Sequence, residues 1–363
     1  AQSSSDNVFL SSLSILSALA MAHLGAKGET ASQMEKTLYL NKSENFDADF
    51  KALMSEMNNP ENEYTLKMAN KAFGEKTYGF LSSFVNSAQD KYGASLETVD
   101  FKNSAENSRE YINNWVKNQT GGNIINLLPQ GAVTASTALI LVNAIYLNAV
   151  WKSMFKESNT KEETFWLAKS LTTTVQMMSQ EGRFKVGYEE QQKLQILELP
   201  YKGDALSMVI VKPKSIEDDT NGLQQVESLI SAPTLEKWIQ ASNMQPKQVK
   251  VKLPRFWIRN SFDLVEVLQR LKMVDAFTEG RANFAGISNH SNLFISQVAQ
   301  ASFVQVNETG TEAAAATAVV MVPTSVVQPD EEFIANTPFL FYIKDNKSGC
   351  ILFFGRVNRP LKK

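Results

Sequence analysis

The sequence predicts an α+β fold that forms one large domain over residues 1–363. Helical patterns dominate the part of the chain before residue 120, whereas short β-rich apolar runs dominate the part after residue 137. Helices that precede a series of strands are typical of α+β folds. The chain is 43% hydrophobic and 20% charged, and no Gly/Ser-rich or Pro-rich linker divides it. Such a chain can bury an extensive core without metals or disulfides.

Three segments near the N-terminus have the pattern of helices. Residues 13–24 are mostly apolar and end at a glycine, and residues 29–40 begin a second helix after another glycine. Residues 104–118 begin with serine and acidic residues, which favour a helix N-terminus. Their apolar side chains form one helical face, which consists of Tyr111, Ile112, Trp115 and Val116.

A buried central strand is predicted at residues 137–147. The run TALILVNAIYL is continuously apolar, rich in β-favouring residues and too short to span a membrane. Further strands are predicted at residues 194–201 and 205–213. Residues 248–258 alternate between apolar and polar residues, which indicates one half-exposed antiparallel strand.

The C-terminal third combines a helix with a hairpin. A helix is predicted at residues 262–274 and a strand at residues 301–306. PFLFYIK (338–344) and CILFFGRV (350–357) are apolar runs on either side of a turn at residues 345–349. These two runs predict a β-hairpin.

The sequence offers little support for catalysis. Its two histidines, His23 and His290, have no cysteine or second histidine at metal-ligand spacing, and neither is well placed as the base of a catalytic triad. No P-loop is present, and Gly121 and Gly122 follow a helix, where they are expected to cap it. We therefore expect no enzyme activity, no metal and no cofactor.

Charge and cysteine content restrict the partners and the compartment. A net charge of -2 with mixed acids and bases gives no basic surface for nucleic acid and no polybasic membrane anchor. The single cysteine, Cys350, cannot form an internal disulfide, and the chain as given begins without a signal peptide. We expect a cytoplasmic protein or one released without a cleavable signal, and secretion stays open as an alternative.

The part of the sequence that most clearly indicates a function is the segment from 308 to 332, ETGTEAAAATAVVMVPTSVVQPDEE. About 25 residues without turn chemistry are unusual in a compact domain. At period 2 one face of the segment is free of charge, and it consists of Thr311, Ala313, Ala315, Thr317, Val319 and Met321. Glu312 lies on the opposite face. A buried strand or an alanine-rich helix is an equally acceptable interpretation of this composition.

Several motifs of the chain are similar to those of the serpin family. They are GTEAAAATA (310–318), LVNAIYL (141–147) followed by Trp151, LELPYKGDALSMVIVKP, LPRF (253–256) and NTPFLFYIKDNKSGCILFFGRVNRP near the end. The stretches GEKTYGFL and EAAAATAVV resemble the ovalbumin-like, leucocyte-type branch, including its squamous-cell-carcinoma-antigen members. The resemblance covers almost the whole chain, although the family's first helix is missing from the sequence as given.

The resemblance implies a fold and a mechanism. The fold has about eight or nine helices around three β-sheets, with an exposed reactive-centre loop at residues 308–332. In the mechanism a serine protease cleaves the loop, and the freed segment inserts into the main sheet while still acylated to the enzyme. The hinge of this loop matches Glu308, Gly310, Thr311, Glu312, Ala313, Ala314, Ala315, Ala316 and Thr317. Its small, uncharged inward face favours an active inhibitor over a non-inhibitory binding protein, because burying an unpaired charge is costly.

The family's loop length implies that the reactive bond joins Thr324 and Ser325. No Lys or Arg lies between residues 308 and 343, which disfavours trypsin-like targets, and no aromatic residue lies between 308 and 332, which weakens chymotrypsin-like targets. Small apolar residues favour an elastase-like serine protease. Met321 is an alternative bait for a chymotrypsin-like enzyme, and a papain-like cysteine protease is a further alternative target.

The family's sheet-opening residues match Ser11, Ser14, Asn143 and Gln300, and Trp151 matches the residue where the inserting strand enters. Gln300 stands where the family usually has a histidine, so this network is expected to carry no pH-dependent charge. Residues 43–59 are acidic, and we therefore expect no heparin binding. We expect a monomer in which the apolar residues 313–327 create a risk of loop–sheet polymers.

Overall fold

The computed structural model describes residues 6–216, 220–239, 244–311 and 329–361. The expected α+β class is confirmed. Within the described residues the helices are α1 (Ser12–His23), α2 (Gly28–Leu38), α3 (Phe46–Met57), α4 (Ser82–Tyr92), α5 (Phe101–Gln119), α6 (Leu223–Ser228), α7 (Ala232–Ile239) and α8 (Val265–Arg270).

The strands are β1 (Val8–Leu10), β2 (Tyr64–Glu75), β3 (Ser95–Val99), β4 (Leu139–Val150), β5 (Lys161–Ala168), β6 (Leu171–Glu189), β7 (Leu194–Pro200), β8 (Leu206–Pro213), β9 (Met244–Pro254), β10 (Phe256–Asp263), β11 (Ile295–Val306), β12 (Gly310–Thr311), β13 (Glu331–Ile334), β14 (Phe339–Asp345) and β15 (Ile351–Val357). The predicted helices near residues 13–24, 29–40 and 104–118 and the C-terminal hairpin are confirmed.

In the described part of the chain the strands form a six-stranded and a nine-stranded sheet. The six-stranded sheet has the order β10-β11-β12-β4-β2-β3, and β11 also pairs directly with β4. The larger sheet follows β1-β15-β14-β8-β7-β6-β9-β13, with β5 on β6. The three expected sheets form two hydrogen-bonded networks because the long β6 pairs with β5 and β9 along most of its length and with β7 at its end.

The six-stranded sheet separates two apolar cores. Along β4, Leu141, Ile145 and Leu147 belong to the core shared with α1 and the larger sheet. Ile140, Val142 and Ala144 belong to the core under α5 and the segment that follows it. This alternation is the period-2 pattern of a strand that is covered on both faces.

Helix α1 lies between the two sheets and contacts both β4 and β15. Its N-terminus is capped by Ser11, whose hydroxyl oxygen accepts from the backbone N–H of Ser14 at 3.2 Å. The same hydroxyl donates to the carbonyl of Leu352 on β15 at 2.7 Å. The cap thus fixes α1 to the larger sheet and directs its polar face toward β4.

The prediction of one strand at residues 248–258 is wrong. The chain leaves the larger sheet at Pro254 and enters the six-stranded sheet at Phe256, and the N–H of Arg255 between them donates to the carbonyl of Gln176 at 2.8 Å. Both halves have the same alternation, so periodicity alone does not reveal the change of sheet.

The predicted helix at residues 262–274 is too long. Phe262 and Asp263 still belong to β10, where Phe262 pairs with Gln300 on β11, and the helix extends only from Val265 to Arg270. Lys272 then adopts a left-handed conformation with a φ of 75°. Pairing with β11 therefore outweighs the helical periodicity of this segment.

Candidate functional site

The candidate site is the junction between the parallel strands β4 and β11. They pair directly from Ile295 opposite Leu139 to Ser302 opposite Ile145. Beyond these residues β12 lies between them, with Gly310 opposite Val150 and Thr311 opposite both Ala149 and Val306. The sheet is therefore closed over one half of this junction and holds a short third strand in the other half.

Gly310 fits this position because it has no side chain. A Cβ atom there would lie 2.1 Å from the carbonyl oxygen of Ala149 and 2.8 Å from the Cα of Val150. Both neighbours are backbone atoms of β4, so they cannot move aside by changing a rotamer. The entry of β12 thus depends on the glycine.

Thr311 is fixed by a buried aromatic pair. Its side-chain oxygen is 2.6 Å from the hydroxyl of Tyr201, and both residues are about 1% exposed. Burial raises the pKa of Tyr201 well above its usual value, so the phenol stays protonated. The Tyr201 ring stacks on Trp151 with centroids 4.5 Å apart.

Trp151 holds the turn that connects β11 to β12. Its backbone N–H donates to the carbonyl of Thr309 at 2.8 Å, and its indole Nε1 donates to the carbonyl of Asn307 at 3.0 Å. The side chain of Asn307 accepts from the N–H groups of Thr309 and Gly310 at 3.0 and 3.1 Å. This predicted site residue therefore lies where β12 enters the sheet.

Glu308 is buried and forms an ion pair with Arg255. Arg255 Nε lies 2.7 and 2.8 Å from the two carboxylate oxygens, and the hydroxyl of Thr160 also donates to Oε1. Burial acts to raise the pKa of Glu308, but the hydrogen bonds from Arg255 and Thr160 outweigh it and the pKa lies below its usual range. The carboxylate is therefore a charged anchor at the start of the segment.

A row of three amide side chains crosses the closed half of the junction. Asn70 on β2 pairs with Asn143 on β4, which pairs with Gln300 on β11. Asn143 Nδ2 donates to Asn70 Oδ1 and, at 3.1 Å, to the carbonyl of Ser14. The hydroxyl of Ser14 donates to Asn143 Oδ1. Asn143 thereby ties β4 to β2 and to α1.

Gln300 connects this row to the opposite strand. Its Nε2 donates to the carbonyl of Ser11 at 3.0 Å and to Asn143 Oδ1 at 3.4 Å. Gln300 is fully buried, and its Oε1 has no hydrogen-bond partner among the described residues. The predicted residues Ser11, Ser14, Asn143 and Gln300 therefore lie together, whereas Trp151 lies at the other end of β4.

The far end of the segment is anchored on the larger sheet. β13 pairs in parallel with β9, from Glu331 opposite Val249 to Ile334 opposite Lys252. Glu331 accepts from Lys247 and Tyr188, both at 2.7 Å, and these bonds lower its pKa. The described ends of the 308–332 segment thus lie in two different sheets.

Several predicted positions lie outside the described residues. They are Glu312, Ala313, Ala314, Ala315, Ala316, Thr317, Met321, Thr324 and Ser325. Four contributors to the site were not predicted from the sequence, and they are Arg255, Tyr201, Asn70 and Ser17. The last of them accepts a hydrogen bond from Asn70 Nδ2 at 2.7 Å. Tyr201 and Arg255 lie within the quoted motifs LELPYKGDALSMVIVKP and LPRF, but only their contacts across the fold reveal a role.

The described residues contain no group of three or more His, Cys, Asp or Glu side chains that could hold a metal ion. His23 is bonded to Glu35 at 3.2 Å, and His290 stacks on Tyr78 with centroids 4.1 Å apart.

No helix in the described ranges is long and apolar enough to cross a membrane.

Comparison with known proteins gives consistent matches. The family model described as serpin (serine protease inhibitor) matches residues 1–360. The leukocyte elastase inhibitor of Equus caballus is 44% identical over 354 residues, which cover 98% of this chain and 93% of the relative. Human serpin B4 is 42% identical and covers 99% and 95% of the two chains. The crystal structure of uncleaved ovalbumin superposes with a TM-score of 0.90 at 33% identity, covering 98% of this chain and 94% of ovalbumin.

Replacing Gly310 by valine is expected to expel β12 from the sheet. The side chain would collide with the backbone of β4, and such overpacking typically costs about 1–3 kcal/mol. Hydrogen exchange of the Trp151 and Phe155 amides, which donate to Thr309 and Glu308, should accelerate by about tenfold. Gly182→Ala is the control, because its added Cβ would meet only the edge of the Phe184 ring, at 3.0 Å, and no backbone atom of β4. Unchanged exchange in Gly310→Val would contradict the prediction.

Replacing Gln300 by histidine is expected to make stability depend on pH. Burial disfavours the imidazolium, so the folded-state pKa of the new histidine falls below its unfolded value of about 6.5. The unfolded chain then binds more protons, and stability is lost as the pH drops below about 6.5. Denaturant midpoints between pH 5.5 and 8 should diverge from those of the wild type on acidification. Parallel pH profiles for the two proteins would contradict this expectation.

Proposed function

The chain belongs to the serpin family, and we propose that it is a suicide-substrate inhibitor of serine endopeptidases. The observation that carries the proposal is β12, which lies between β4 and β11 and is hydrogen-bonded to both. A strand that has begun to enter a sheet provides a start for further insertion. Strand addition of this kind satisfies backbone hydrogen bonds along the whole added segment.

The covalent step follows from the chemistry of serine proteases. The protease hydroxyl attacks the carbonyl carbon of Thr324, an ester forms, and the bond to the nitrogen of Ser325 breaks. The new amine of Ser325 takes up the proton that the hydroxyl releases. The chain before Thr324 is then free to insert while it remains esterified to the protease, and insertion carries the enzyme along before water cleaves the ester.

The register of β12 supports insertion of the next residue, Glu312. Continuing the pairing by one position brings residue 312 opposite Asn148 on β4 and Gln305 on β11. Both neighbours are polar and only partly buried. A carboxylate at this position keeps contact with water, and its burial does not oppose insertion.

The target proposed here is an elastase-like protease. Thr324 and the apolar residues before it suit a shallow specificity pocket, and the similar protein from Equus caballus is named as an elastase inhibitor. Met321 as alternative bait and a papain-like target are the competing assignments. The proposed assembly is a monomer.

Mixing the protein with neutrophil or pancreatic elastase should yield a covalent complex. On a denaturing gel it should run near the mass of the protease plus that of the 40.4 kDa chain without its released C-terminal peptide. Mass spectrometry should find a released peptide that begins at Ser325. Complete cleavage without the complex would mean that the protein is only a substrate, and a peptide that begins at Val322 would assign the bait to Met321.

Changing Thr324 to arginine should redirect inhibition to trypsin. An arginine pairs with the acid at the base of the trypsin pocket, whereas it does not fit a shallow elastase pocket. Association with elastase should fall by about 100-fold or more, and a trypsin complex should appear. Met321→Arg serves as the matched control, because under this proposal it leaves the elastase complex intact.

A further inference from the structure

The larger sheet buries two lysines within the described residues, and they differ in their surroundings. Lys344 on β14 has a counter-ion, because its Nζ lies 3.2 Å from Oε1 of the buried Glu198 on β7. Lys212 on β8 is 6% exposed, and its Nζ donates to the carbonyl of Pro213 at 3.2 Å. In the described part of the chain no carboxylate forms an ion pair with Lys212. A buried amine of this kind is unusual, because a buried charge is normally paired.

Lys212 is one of three cross-strand side chains that lie against β13. Gln195 on β7 pairs with Tyr188 on β6 and with Lys212, so the three side chains share one face of the larger sheet. The Tyr188 hydroxyl donates to Glu331 Oε2 at 2.7 Å, and Gln195 Nε2 donates to the carbonyl of Glu332 at 2.8 Å. Two of the three side chains thus bind β13 by hydrogen bonds.

The third side chain meets β13 through an aromatic ring. Lys212 Nζ lies 5.8 Å from the centroid of the Phe333 ring, and Phe333 is fully buried. A ring face attracts a cation but does not replace its hydration shell. Burial therefore lowers the pKa of Lys212 to about 8. Because Phe333 covers the amine, detachment of β13 would return Lys212 to water.

The other ionisable groups around β13 are held by their own partners. Glu331 is paired with Lys247 at 2.7 Å, and Glu332 is paired with Lys250 at 3.2 Å. Burial and the bond to Glu331 raise the pKa of Tyr188 to about 12, and the bonds from Lys247 and Tyr188 lower the pKa of Glu331. Neither group changes its charge between about pH 7 and 9. The ionisable side chains that line the cavity beside β13 are Tyr188, Glu190, Lys214, Lys247, Glu331 and Glu332.

We propose that Lys212 makes the attachment of β13 to the larger sheet depend on pH, with weaker attachment on the acidic side of the range from about 7 to 9. The protonated amine is buried at a cost while β13 is attached, and it regains water when β13 detaches. The neutral amine lacks this preference. The device controls the C-terminal anchor of the 308–332 segment in the intact chain, so it does not depend on cleavage or on protease trapping.

The direction of the effect follows from proton linkage. The pKa of Lys212 is about 8 while β13 is attached, whereas a lysine in water has a pKa of about 10.4. The detached form therefore binds more protons between these values, and attachment gains stability as the pH rises through them. Well below a pH of about 7 both forms are protonated, and the dependence ends. The equilibrium constant for detachment should fall by about tenfold from pH 7 to pH 9.

Hydrogen exchange at the two ends of β13 measures this detachment. The amide of Asp330 donates to the carbonyl of Gln248 at 2.8 Å, and the amide of Ala335 donates to the carbonyl of Lys252 at 2.9 Å. Their protection factors, corrected for the intrinsic effect of pH on exchange, should rise by about tenfold between pH 7 and 9 in the wild type. The amide of Trp151, which donates to Thr309 at the other anchor, is the internal reference and should show no such rise.

Three variants assign the effect to the amine of Lys212. Lys212→Met keeps an unbranched side chain without a charge, so protection should be high and independent of pH. Lys212→Arg keeps its charge throughout the range, so protection should be low and independent of pH. Lys214→Met is the matched control, because Lys214 is exposed and lies only two residues further along the chain. It should retain the wild-type pH profile.

The outcomes separate this inference from the proposed function. A wild-type profile parallel to that of Lys212→Met would overturn the inference, and so would a profile that becomes flat in Lys214→Met. If Lys212→Arg does not fold, the wild type, Lys212→Met and Lys214→Met still decide the question. The covalent complex with elastase is scored separately on the denaturing gel, so its absence would refute the proposed function and leave the pH dependence of β13 standing.

Discussion

The direct pairing of β4 with β11 is the interaction on which the rest of the structure depends. A parallel pair in the middle of a sheet is normally permanent, because it is buried on both faces. Among the described residues, a side-chain hydrogen bond of 3.4 Å joins the two strands through Gln300 and Asn143, whereas Asn143 is bonded more extensively to β2 and α1. Separation of the two strands would therefore leave the bonds of Asn143 to β2 and α1 in place.

Much of the fold could be predicted from the sequence. Three elements have a strong local pattern in the sequence. They are the apolar helix near residues 13–24, the continuously apolar strand β4 and the C-terminal hairpin. The segment around Arg255 could not be predicted in the same way, because β9 and β10 have identical periodicity and only tertiary packing assigns them to different sheets. Phe262 likewise belongs to strand β10, because it pairs with Gln300 on β11, although its sequence neighbours have helical periodicity.

The site residues that could be predicted are those that match a motif of the family. The hinge and the cluster of Ser11, Ser14, Asn143 and Gln300 were predicted from the resemblance, and the structure brings the four residues of this cluster together. The contacts that support them join residues far apart in sequence, such as Glu308 with Arg255 and Thr311 with Tyr201. Such pairs leave no periodic signal. The Oε1 atom of Gln300, which has no hydrogen-bond partner among the described residues, likewise depends on how α1 packs against the sheet.

Under the proposed insertion, the pairing of β12 with both β4 and β11 constrains the length of the chain between Thr311 and Thr324 more strictly than its composition. A strand has a side-chain period of two, so adding or deleting one residue after Glu312 would turn every later side chain to the opposite face. Small apolar substitutions preserve this phase, whereas a single inserted residue would exchange the two apolar cores that the later side chains face when the segment enters the sheet. Natural variation in this segment should therefore consist mainly of residue exchanges, with changes in length tolerated only closer to β13.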